Sequence, residues 1–158
     1  MNVGPLIQSV KACHPDDRLN TAAQIMWEND CSSVPVVDAE GTVVGMVTDR
    51  DVCVAAYTQG RPLAALPVSS AMSKTVYTCK PGDSLAAAEE MLRAHKVRRV
   101  PVVDAAGHLV GILSLNDIAR EAAHERASKK KEARFEEVAG TLATICEPRS
   151  SRGLQVAA

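Results

Sequence analysis

The chain has 158 residues, of which 46% are hydrophobic, and a formal net charge of −1. This length and composition predict one ordinary domain or two very small ones around a buried core. A charge this close to zero provides no overall field toward nucleic acid or an anionic membrane. An aromatic content of 3% leaves few rings to stack on bases, so the composition argues against nucleic acid as a partner.

The five cysteines are odd in number and form no C-x-x-C pair, which argues against a disulfide framework and a zinc site. We expect them to be reduced, buried thiols. The four histidines show no metal-ligand spacing, so no metal is expected. No apolar run approaches the roughly eighteen residues that span a bilayer, and the N-terminus lacks a secretory signal pattern. We therefore expect a cytoplasmic protein with no membrane partner.

An internal repeat occupies most of the chain. Residues 10–52 match residues 76–118 without a gap, at an offset of 66, with identities at sixteen of forty-three positions. The densest match is VPVVDA, at 34–39 and again at 100–105. A repeat at a fixed offset predicts a duplicated structural unit.

Each copy begins with a short extended piece, at 10–13 or 76–79, that ends before a proline. Two residues after the proline stands an aspartate, Asp17 or Asp83, which is predicted to cap the next helix. Apolar residues at helical spacing predict the buried face of that helix, namely Leu19, Ala22, Ala23 and Met26, or Leu85, Ala88 and Leu92.

A β-hairpin is predicted next. In the first copy the runs 34–37 and 43–47 flank a turn at 38–41, and the second copy repeats this pattern from 100 to 113. A second helix is predicted directly after the hairpin. Each copy is therefore β-α-β-β-α, and because about sixty residues alone would leave one sheet face exposed, we expect the two copies to pack on each other.

Both hairpins end in a hydroxyl residue three positions before an aspartate, Thr48 with Asp51 and Ser114 with Asp117. One interpretation is a capping box, in which the hydroxyl and the acid satisfy free N–H groups at the helix start. The other is a nucleotide cradle, in which the helix N-terminus attracts phosphate and the carboxylate accepts hydrogen bonds from ribose hydroxyls. A glycine three residues before each hydroxyl would allow another group to approach closely.

Arg98 and Arg99 precede the second hairpin, where the first copy has Ser32 and Ser33. A basic pair at a strand start is ordinarily a solvated edge that discourages aggregation. Only one of two adjacent strand residues points to a given face. If Arg98 faces the cleft, its guanidinium can bind a phosphate bidentately, whereas Ser32 could donate one neutral hydrogen bond. We therefore expect two pockets that differ in affinity for anions.

The motif h-P-V-V-D-x-x-G-x-h-h-G-h-h-[TS]-x-x-D, after an extended piece and a short helix, resembles the CBS domain. Two copies in tandem resemble a CBS pair, or Bateman module, over about residues 3–120. The resemblance implies an α/β fold in which two β-α-β-β-α repeats pack sheet to sheet about a pseudo-twofold axis. It also implies two clefts for adenosine compounds (AMP, ADP, ATP, S-adenosylmethionine or NAD(H)) and a homodimer formed through helices.

The resemblance further implies roles for individual residues. The aspartate of each motif holds the ribose, its hydroxyl residue contacts ribose or phosphate, and the backbone before each proline contacts adenine. Arg98 matches a phosphate-binding position and Thr78 a base-contacting position, while Ala12 departs from the latter in the first copy. The candidate ligand-binding set is Ser32, Val34, Pro35, Thr48, Asp51, Thr78, Arg98, Val100, Pro101, Ser114 and Asp117.

We place the first repeat at residues 1–62, the second at 67–122 and a C-terminal helical extension with its tail at 123–158. In the extension an apolar stripe is formed by Phe135, Val138, Leu142 and Ile145. Such a stripe covers the protein's own surface or pairs two subunits.

The pattern as a whole favours a stand-alone regulatory sensor of adenosine-containing ligands, with an effector protein that the sequence does not name. No catalytic residue and no required cofactor are expected, because no P-loop or G-x-S-x-G occurs and the thiols of Cys13 and Cys79 fall in predicted buried strands. The alternative is a structural or protein-interaction module with empty clefts that acts through its C-terminal helix.

Overall fold

The computed structural model describes residues 1–128 and 135–147. Two repeats of the same architecture follow each other, and one helix comes last. The first repeat contains helix α1 (Leu19–Glu28), strands β1 (Ser33–Val37) and β2 (Val43–Thr48), and helix α2 (Asp49–Gln59). The second contains α3 (Leu85–His95), β3 (Arg99–Val103), β4 (Leu109–Ser114) and α4 (Leu115–Ser128). The last helix is α5 (Phe135–Cys146), and short 3-10 turns form at Gly4–Leu6, Leu63–Ala65 and Val68–Ser70.

The two hairpins have the same register and the same irregularity. Val36 lies opposite Gly45, and Val102 lies opposite Gly111, with a register shift just after each valine. The predicted extended pieces each contribute one parallel bridge to the hairpin, Cys13 beside Val36 and Cys79 beside Val102. The predicted α/β repeat order is confirmed.

The predicted buried faces of the first helices are also confirmed, but the predicted caps are wrong. Asp17 lies one residue before the N-cap position of α1, which is Arg18 and makes no side-chain cap. Ser84 caps α3, and its Oγ accepts a hydrogen bond from the Ala87 N–H at 3.1 Å. Asp17 instead closes the preceding turn, since its carboxylate accepts from the His14 N–H at 2.7 Å.

Each repeat core is completed by the segment that precedes the other repeat. Val3 and Leu6 are buried in the core of the second repeat, whereas Leu66 and Val68 are buried in the core of the first. Backbone hydrogen bonds fix the exchange, since Gln8 pairs with Ile112 in both directions at 3.0 Å. The repeats are therefore interlocked along the chain.

The glycines before the two hydroxyl residues make this exchange sterically feasible. A Cβ at Gly111 would lie 2.7 Å from the Gln8 carbonyl oxygen, and a Cβ at Gly45 would lie 3.1 Å from that of Ser73. The close approach predicted at these glycines is confirmed, and the approaching group is the chain itself.

The two sheets meet at their hairpin turns. The Val43 N–H donates to the Gly107 carbonyl at 3.3 Å, and the Leu109 N–H donates to the Gly41 carbonyl at 3.1 Å. This reciprocal pair relates equivalent positions of the two repeats, as a pseudo-twofold arrangement requires. The predicted packing of one repeat on the other is confirmed.

Helix α5 covers the helices α3 and α4 of the second repeat. Val138 and Ile145 are buried there as predicted, and Thr141 is fully buried between them. Leu142 was predicted on the same stripe, but its side chain is 47% exposed, because the buried face of α5 is turned toward Thr141. The side chain of Phe135 and the tail 148–158 lie outside the described residues. Within the described ranges, no helix is long and apolar enough to cross a membrane.

Candidate functional site

Two neighbouring cavities open where the repeats meet. The inner cavity has a volume of about 260 Å³, and the outer groove has a volume of about 720 Å³. They share four lining residues, Asp30, Cys31, Arg99 and Asn116. The inner cavity is otherwise lined by Gln8, Ser9, Val10, Lys11, Ile25, Asn29, Ser33, Ile112, Ser114, Asp117 and Arg120. The segment that precedes the first helix of a repeat is called its leading segment, and residues 8–11 belong to that of the first repeat. The inner cavity therefore combines the leading segment and α1 of the first repeat with β4 and α4 of the second.

Asp117 is the buried acid of the inner cavity, and its side chain is 6% exposed. Its Oδ2 accepts hydrogen bonds from the Ser114 N–H at 2.9 Å and from the Ser114 hydroxyl at 2.5 Å. The other carboxylate oxygen, Oδ1, accepts from the guanidinium of Arg120, one turn further along α4. One carboxylate oxygen is thus committed to the helix start, and the other pairs with a cation of the cavity wall.

Thr48 and Asp51 form the same capping box at the start of α2. Asp51 Oδ2 accepts from the Thr48 N–H at 2.9 Å and from its hydroxyl at 2.7 Å. Neither residue lines the inner cavity or the outer groove. The capping interpretation of the motif is therefore correct in both repeats, and of these four residues Ser114 and Asp117 also line the inner cavity.

Arg99, and not Arg98, is the arginine that reaches both cavities. Arg98 is exposed and lines neither of them, while its carbonyl oxygen accepts a hydrogen bond from the Leu115 N–H at 2.9 Å. The carbonyl oxygen of Ser32 accepts the equivalent hydrogen bond from the Asp49 N–H at 3.1 Å, and Ser32 lines the outer groove.

Ser33 was missed by the sequence analysis and carries an unusual hydroxyl. Its side chain is 4% exposed and lines the inner cavity, yet its Oγ has no hydrogen-bond partner among the described residues. Buried hydroxyls are nearly always paired, because an unpaired one loses its bond to water without replacement. The signal available in the sequence was its repeat partner, Arg99, at the offset of 66 residues.

The remaining predicted residues lie outside both cavities. Val34 and Val100 are fully buried in the hairpin cores. The carbonyl oxygens of Pro35 and Pro101 accept the Cys13 and Cys79 N–H groups at 3.1 Å, which commits these oxygens to the sheet. Thr78 is half-buried and precedes that second bridge.

Two residues of the inner-cavity lining have aromatic counterparts at the repeat offset. Lys11 and Asn29 of the inner cavity correspond to Tyr77 and His95. The rings of Tyr77 and His95 are stacked, with centroids 3.5 Å apart and planes 10° from parallel. Two polar lining residues of the inner cavity thus correspond to an aromatic stack in the other repeat.

The cysteines are all free, and two of them are buried as expected. Burial raises the pKa of Cys13 and of Cys79 to about 11, with a further rise from Asp17 and Asp83 respectively. A thiol with such a pKa is protonated near neutral pH and is a poor nucleophile. Cys53 and Cys146 are exposed, so the prediction that all five thiols are buried is wrong. Among the described residues, no group of three or more His, Cys, Asp and Glu side chains could hold a metal ion.

Comparisons with known proteins agree with this architecture. The sequence model of the CBS domain matches residues 4–57 and 68–124. The CBS domain-containing protein YhcV of Bacillus subtilis (strain 168) is 36% identical over 110 residues, which cover 70% of this chain and 76% of YhcV. Inosine-5'-monophosphate dehydrogenase of Methanocaldococcus jannaschii is 31% identical over 143 residues, and the match spans 27% of that enzyme.

Among solved structures, CBSX2 in complex with AMP superposes with a TM-score of 0.69 at 27% identity. The superposition covers 79% of this chain and 98% of CBSX2. Two family matches, one on each interlocked repeat, account for most of the described residues, and the chain belongs to the CBS domain family.

Proposed function

We propose that the inner cavity binds an adenosine mononucleotide and that the chain is a regulatory ligand-binding module without catalytic chemistry of its own. The observation that carries this proposal is the lining of one cavity by the carboxylate of Asp117, the guanidinium of Arg99 and the buried hydroxyl of Ser33, which has no hydrogen-bond partner among the described residues. The AMP complex of the similar CBSX2 supports the choice of ligand.

Asp117 is the ribose-binding group in this proposal. A carboxylate oxygen can accept two hydrogen bonds. Oδ1 can therefore accept a ribose hydroxyl in addition to its hydrogen bond from the guanidinium of Arg120. Oδ2 stays with Ser114 and holds the carboxylate in place. The cap thus fixes the acid in position before the ligand arrives, which reduces the entropy lost on binding.

Arg99 is the phosphate-binding group. Its guanidinium can donate two parallel hydrogen bonds to phosphate oxygens, and Lys11 and Arg120 add positive charge on the same cavity. Against these three cations stand the two acids Asp30 and Asp117. The lining therefore carries an excess of one positive charge, which suits an anionic ligand.

The volume of the inner cavity limits the size of the ligand. About 260 Å³ lies just below the usual range of ligand pockets, which is about 300–1,000 Å³. This favours AMP over a dinucleotide such as NAD(H), and it favours AMP over ADP and ATP, whose additional phosphates must extend beyond the cavity. We propose one nucleotide per chain, because Lys11 and Asn29 of the inner cavity are replaced at the repeat offset by Tyr77 and His95, whose rings stack on each other.

The test compares Asp117→Ala with Asp51→Ala. Both variants remove the acid of a capping box, so each should lose about 1 kcal/mol of stability. AMP at a hundred times its dissociation constant should stabilise the parent protein by about 2.7 kcal/mol, measured as a rise in melting temperature. We expect this rise to persist in Asp51→Ala and to be largely lost in Asp117→Ala.

A different outcome would favour the alternative function. If AMP, ADP and ATP leave the melting temperature of the nucleotide-free parent protein unchanged, the clefts are not nucleotide sites and the chain acts as a structural or interaction module. Equal loss of the AMP effect in both variants would mean that the cap, and not the cavity, explains the response. The homodimer, the effector protein and the cytoplasmic location stay predictions.

A further inference from the structure

Two side-chain amides of the inner cavity have fixed orientations. The Gln8 Nε2 group donates a hydrogen bond to the Leu6 carbonyl oxygen at 3.2 Å. The Asn29 Nδ2 group donates to the Ile25 carbonyl oxygen at 2.8 Å. A flipped amide would place its oxygen against a carbonyl oxygen, and both atoms are acceptors only. The nitrogen end of each amide is therefore held by the backbone.

The oxygen ends of the same two amides stay available to a ligand. Neither Gln8 Oε1 nor Asn29 Oδ1 accepts a hydrogen bond from any residue that the structure describes, and both residues line the inner cavity. Asn116 is the third amide of the lining, but its side chain has no such bond, so either of its ends can face a ligand. The cavity thus has two amides that can act only as acceptors.

Each of these two residues is next to an isoleucine of the cavity wall. Gln8 and Ile112 exchange backbone hydrogen bonds at 3.0 Å. The Asn29 side chain folds back on the carbonyl of Ile25. Both isoleucines line the inner cavity and are half-buried. Apolar walls with a few fixed polar groups are typical of sites that bind and orient a flat organic ligand.

Strand β4 relates this wall to the proposed ribose site. Ile112 and Ser114 are two residues apart on β4, so their side chains point to the same face and lie about 7 Å apart along the strand. Ser114 holds the carboxylate of Asp117, and Arg99 lies opposite Ser114 in the hairpin. With the ribose on Asp117 and the phosphate on Arg99, the wall that is left for the base contains Ile112 and Gln8.

We infer that Gln8 and Asn29 are specificity-determining residues, which select a 6-aminopurine nucleotide over a 6-oxopurine nucleotide. This inference rests on the proposed binding of an adenosine mononucleotide and adds which side chains read its base. The 6-amino group of adenine is a donor with two N–H bonds, whereas the 6-oxo group of a purine is an acceptor. An oxo group leaves the amide acceptors without a partner, which costs binding free energy.

The test compares AMP with IMP, its 6-oxo analogue, which has the same ribose and phosphate. Calorimetric titration of the nucleotide-free full chain with each nucleotide gives the ratio of the two affinities. We expect the parent protein to bind AMP at least about tenfold more tightly. Gln8→Met and Asn29→Leu each remove one acceptor at nearly constant size, so each should lower this ratio by about threefold, through weaker binding of AMP.

Two further variants separate recognition of the base from a structural role. Asn29→Asp keeps an acceptor oxygen and adds a negative charge to the cavity. Both nucleotides should therefore bind more weakly, because the charge opposes the phosphate, while the ratio stays at the parent value or rises. Gln59→Ala removes an exposed amide that lines neither cavity, so it is the control and should leave both affinities unchanged.

The possible failures of this inference and of the proposed function can be told apart. Equal affinities for AMP and IMP in the parent protein, or tighter binding of IMP, would overturn the inference and leave the nucleotide site standing. A preference for AMP that neither Gln8→Met nor Asn29→Leu reduces would also overturn it. If neither nucleotide binds the parent protein, the proposed function fails together with the inference.

Discussion

Arg98 and Arg99 are adjacent in the sequence, and the structure assigns them to different surroundings. Strand β3 begins at Arg99 and is buried on both faces, so no alternation of polar and apolar residues indicates which face meets the other repeat. The resemblance predicts Arg98 as the phosphate-binding arginine, but the burial pattern of the strand does not distinguish Arg98 from Arg99. The difference is set by the register of the hairpin, in which Arg99 lies opposite Ser114 and the Arg98 carbonyl accepts from the Leu115 N–H.

Arg99→Ala should weaken AMP binding far more than adenosine binding. The guanidinium contacts only the phosphate in our account, and loss of a hydrogen bond to a charged group costs about 1.5–3 kcal/mol, or at least about tenfold in affinity. Calorimetric titration of nucleotide-free protein with AMP and adenosine measures both effects. Arg98→Ala is the matched control and should leave both affinities unchanged; equal losses for AMP and adenosine in Arg99→Ala would remove Arg99 from the phosphate role.

Ser33→Ala should change stability and binding in opposite directions. Without ligand the variant removes a buried hydroxyl that has no partner among the described residues, so the free energy of unfolding should stay the same or rise by about 1 kcal/mol. With AMP the same hydroxyl is available to the ligand, so affinity should fall. Urea denaturation measures the change in stability, and AMP titration of the same preparation measures the change in affinity. A destabilised variant with unchanged AMP affinity would contradict this account.

At the scale of elements, the repeat predicts which helices and hairpins form, but it does not predict correctly which residues cap the first helix of each repeat. The buried faces of α1 and α3 follow from helical spacing, and they appear as expected. Asp17 and Asp83 do not cap these helices because their carboxylates accept N–H groups of the preceding turn, from His14 and Lys80. A single sequence does not distinguish these two local uses of aspartate, since the same short side chain serves both.

Glu89 on α3 makes the attachment of α5 sensitive to pH. Its side chain is 4% exposed, and its Oε1 has no partner among the described residues. Burial raises the pKa of this carboxyl, Glu137 on α5 raises the pKa further, and Arg93 lowers it. Over the interval between the ordinary and the raised pKa, the folded chain binds more protons than the unfolded chain, so the free energy of unfolding falls as pH rises.

Glu89→Gln should remove the fall in the free energy of unfolding with rising pH, because the amide carries no charge at any pH. We expect the variant to be more stable than the parent protein at neutral pH, with a smaller difference as the pH approaches about 4.3, the ordinary value for glutamate. Chemical denaturation at several pH values measures the difference. Glu136→Gln, at an exposed position on α5, is the control and should show no such trend. If the free energy of unfolding of Glu89→Gln differs from that of the parent protein by the same amount at every pH, the electrostatic explanation is contradicted.

At the scale of the whole molecule, the exchange of leading segments decides which residues share a cavity. In the sequence, Thr78, Ser114 and Asp117 belong to one repeat. In the structure residues 8–11 of the first leading segment line the inner cavity with Ser114 and Asp117, because Gln8 pairs with Ile112 in β4. An offset within one chain shows that two units are equivalent, but it contains no information on which unit receives which segment.

This interlocking also explains why the two clefts are not copies of each other. The inner cavity is lined by residues of both repeats. Each residue that differs between the copies, such as Arg99 against Ser33 or Asn29 against His95, therefore makes the two clefts differ. The inner cavity has the cations and a hydroxyl without a partner among the described residues, whereas the equivalents of Lys11 and Asn29 are the stacked rings of Tyr77 and His95. A single occupied cleft is the expected consequence.

A crystal structure of the chain grown with AMP tests the central proposal most directly. We expect one AMP per chain in the inner cavity, with a ribose hydroxyl within hydrogen-bond distance of Asp117 Oδ1 and the phosphate on Arg99. AMP bound beside Asp51 with an empty inner cavity, or no bound AMP at saturating concentration, would contradict it.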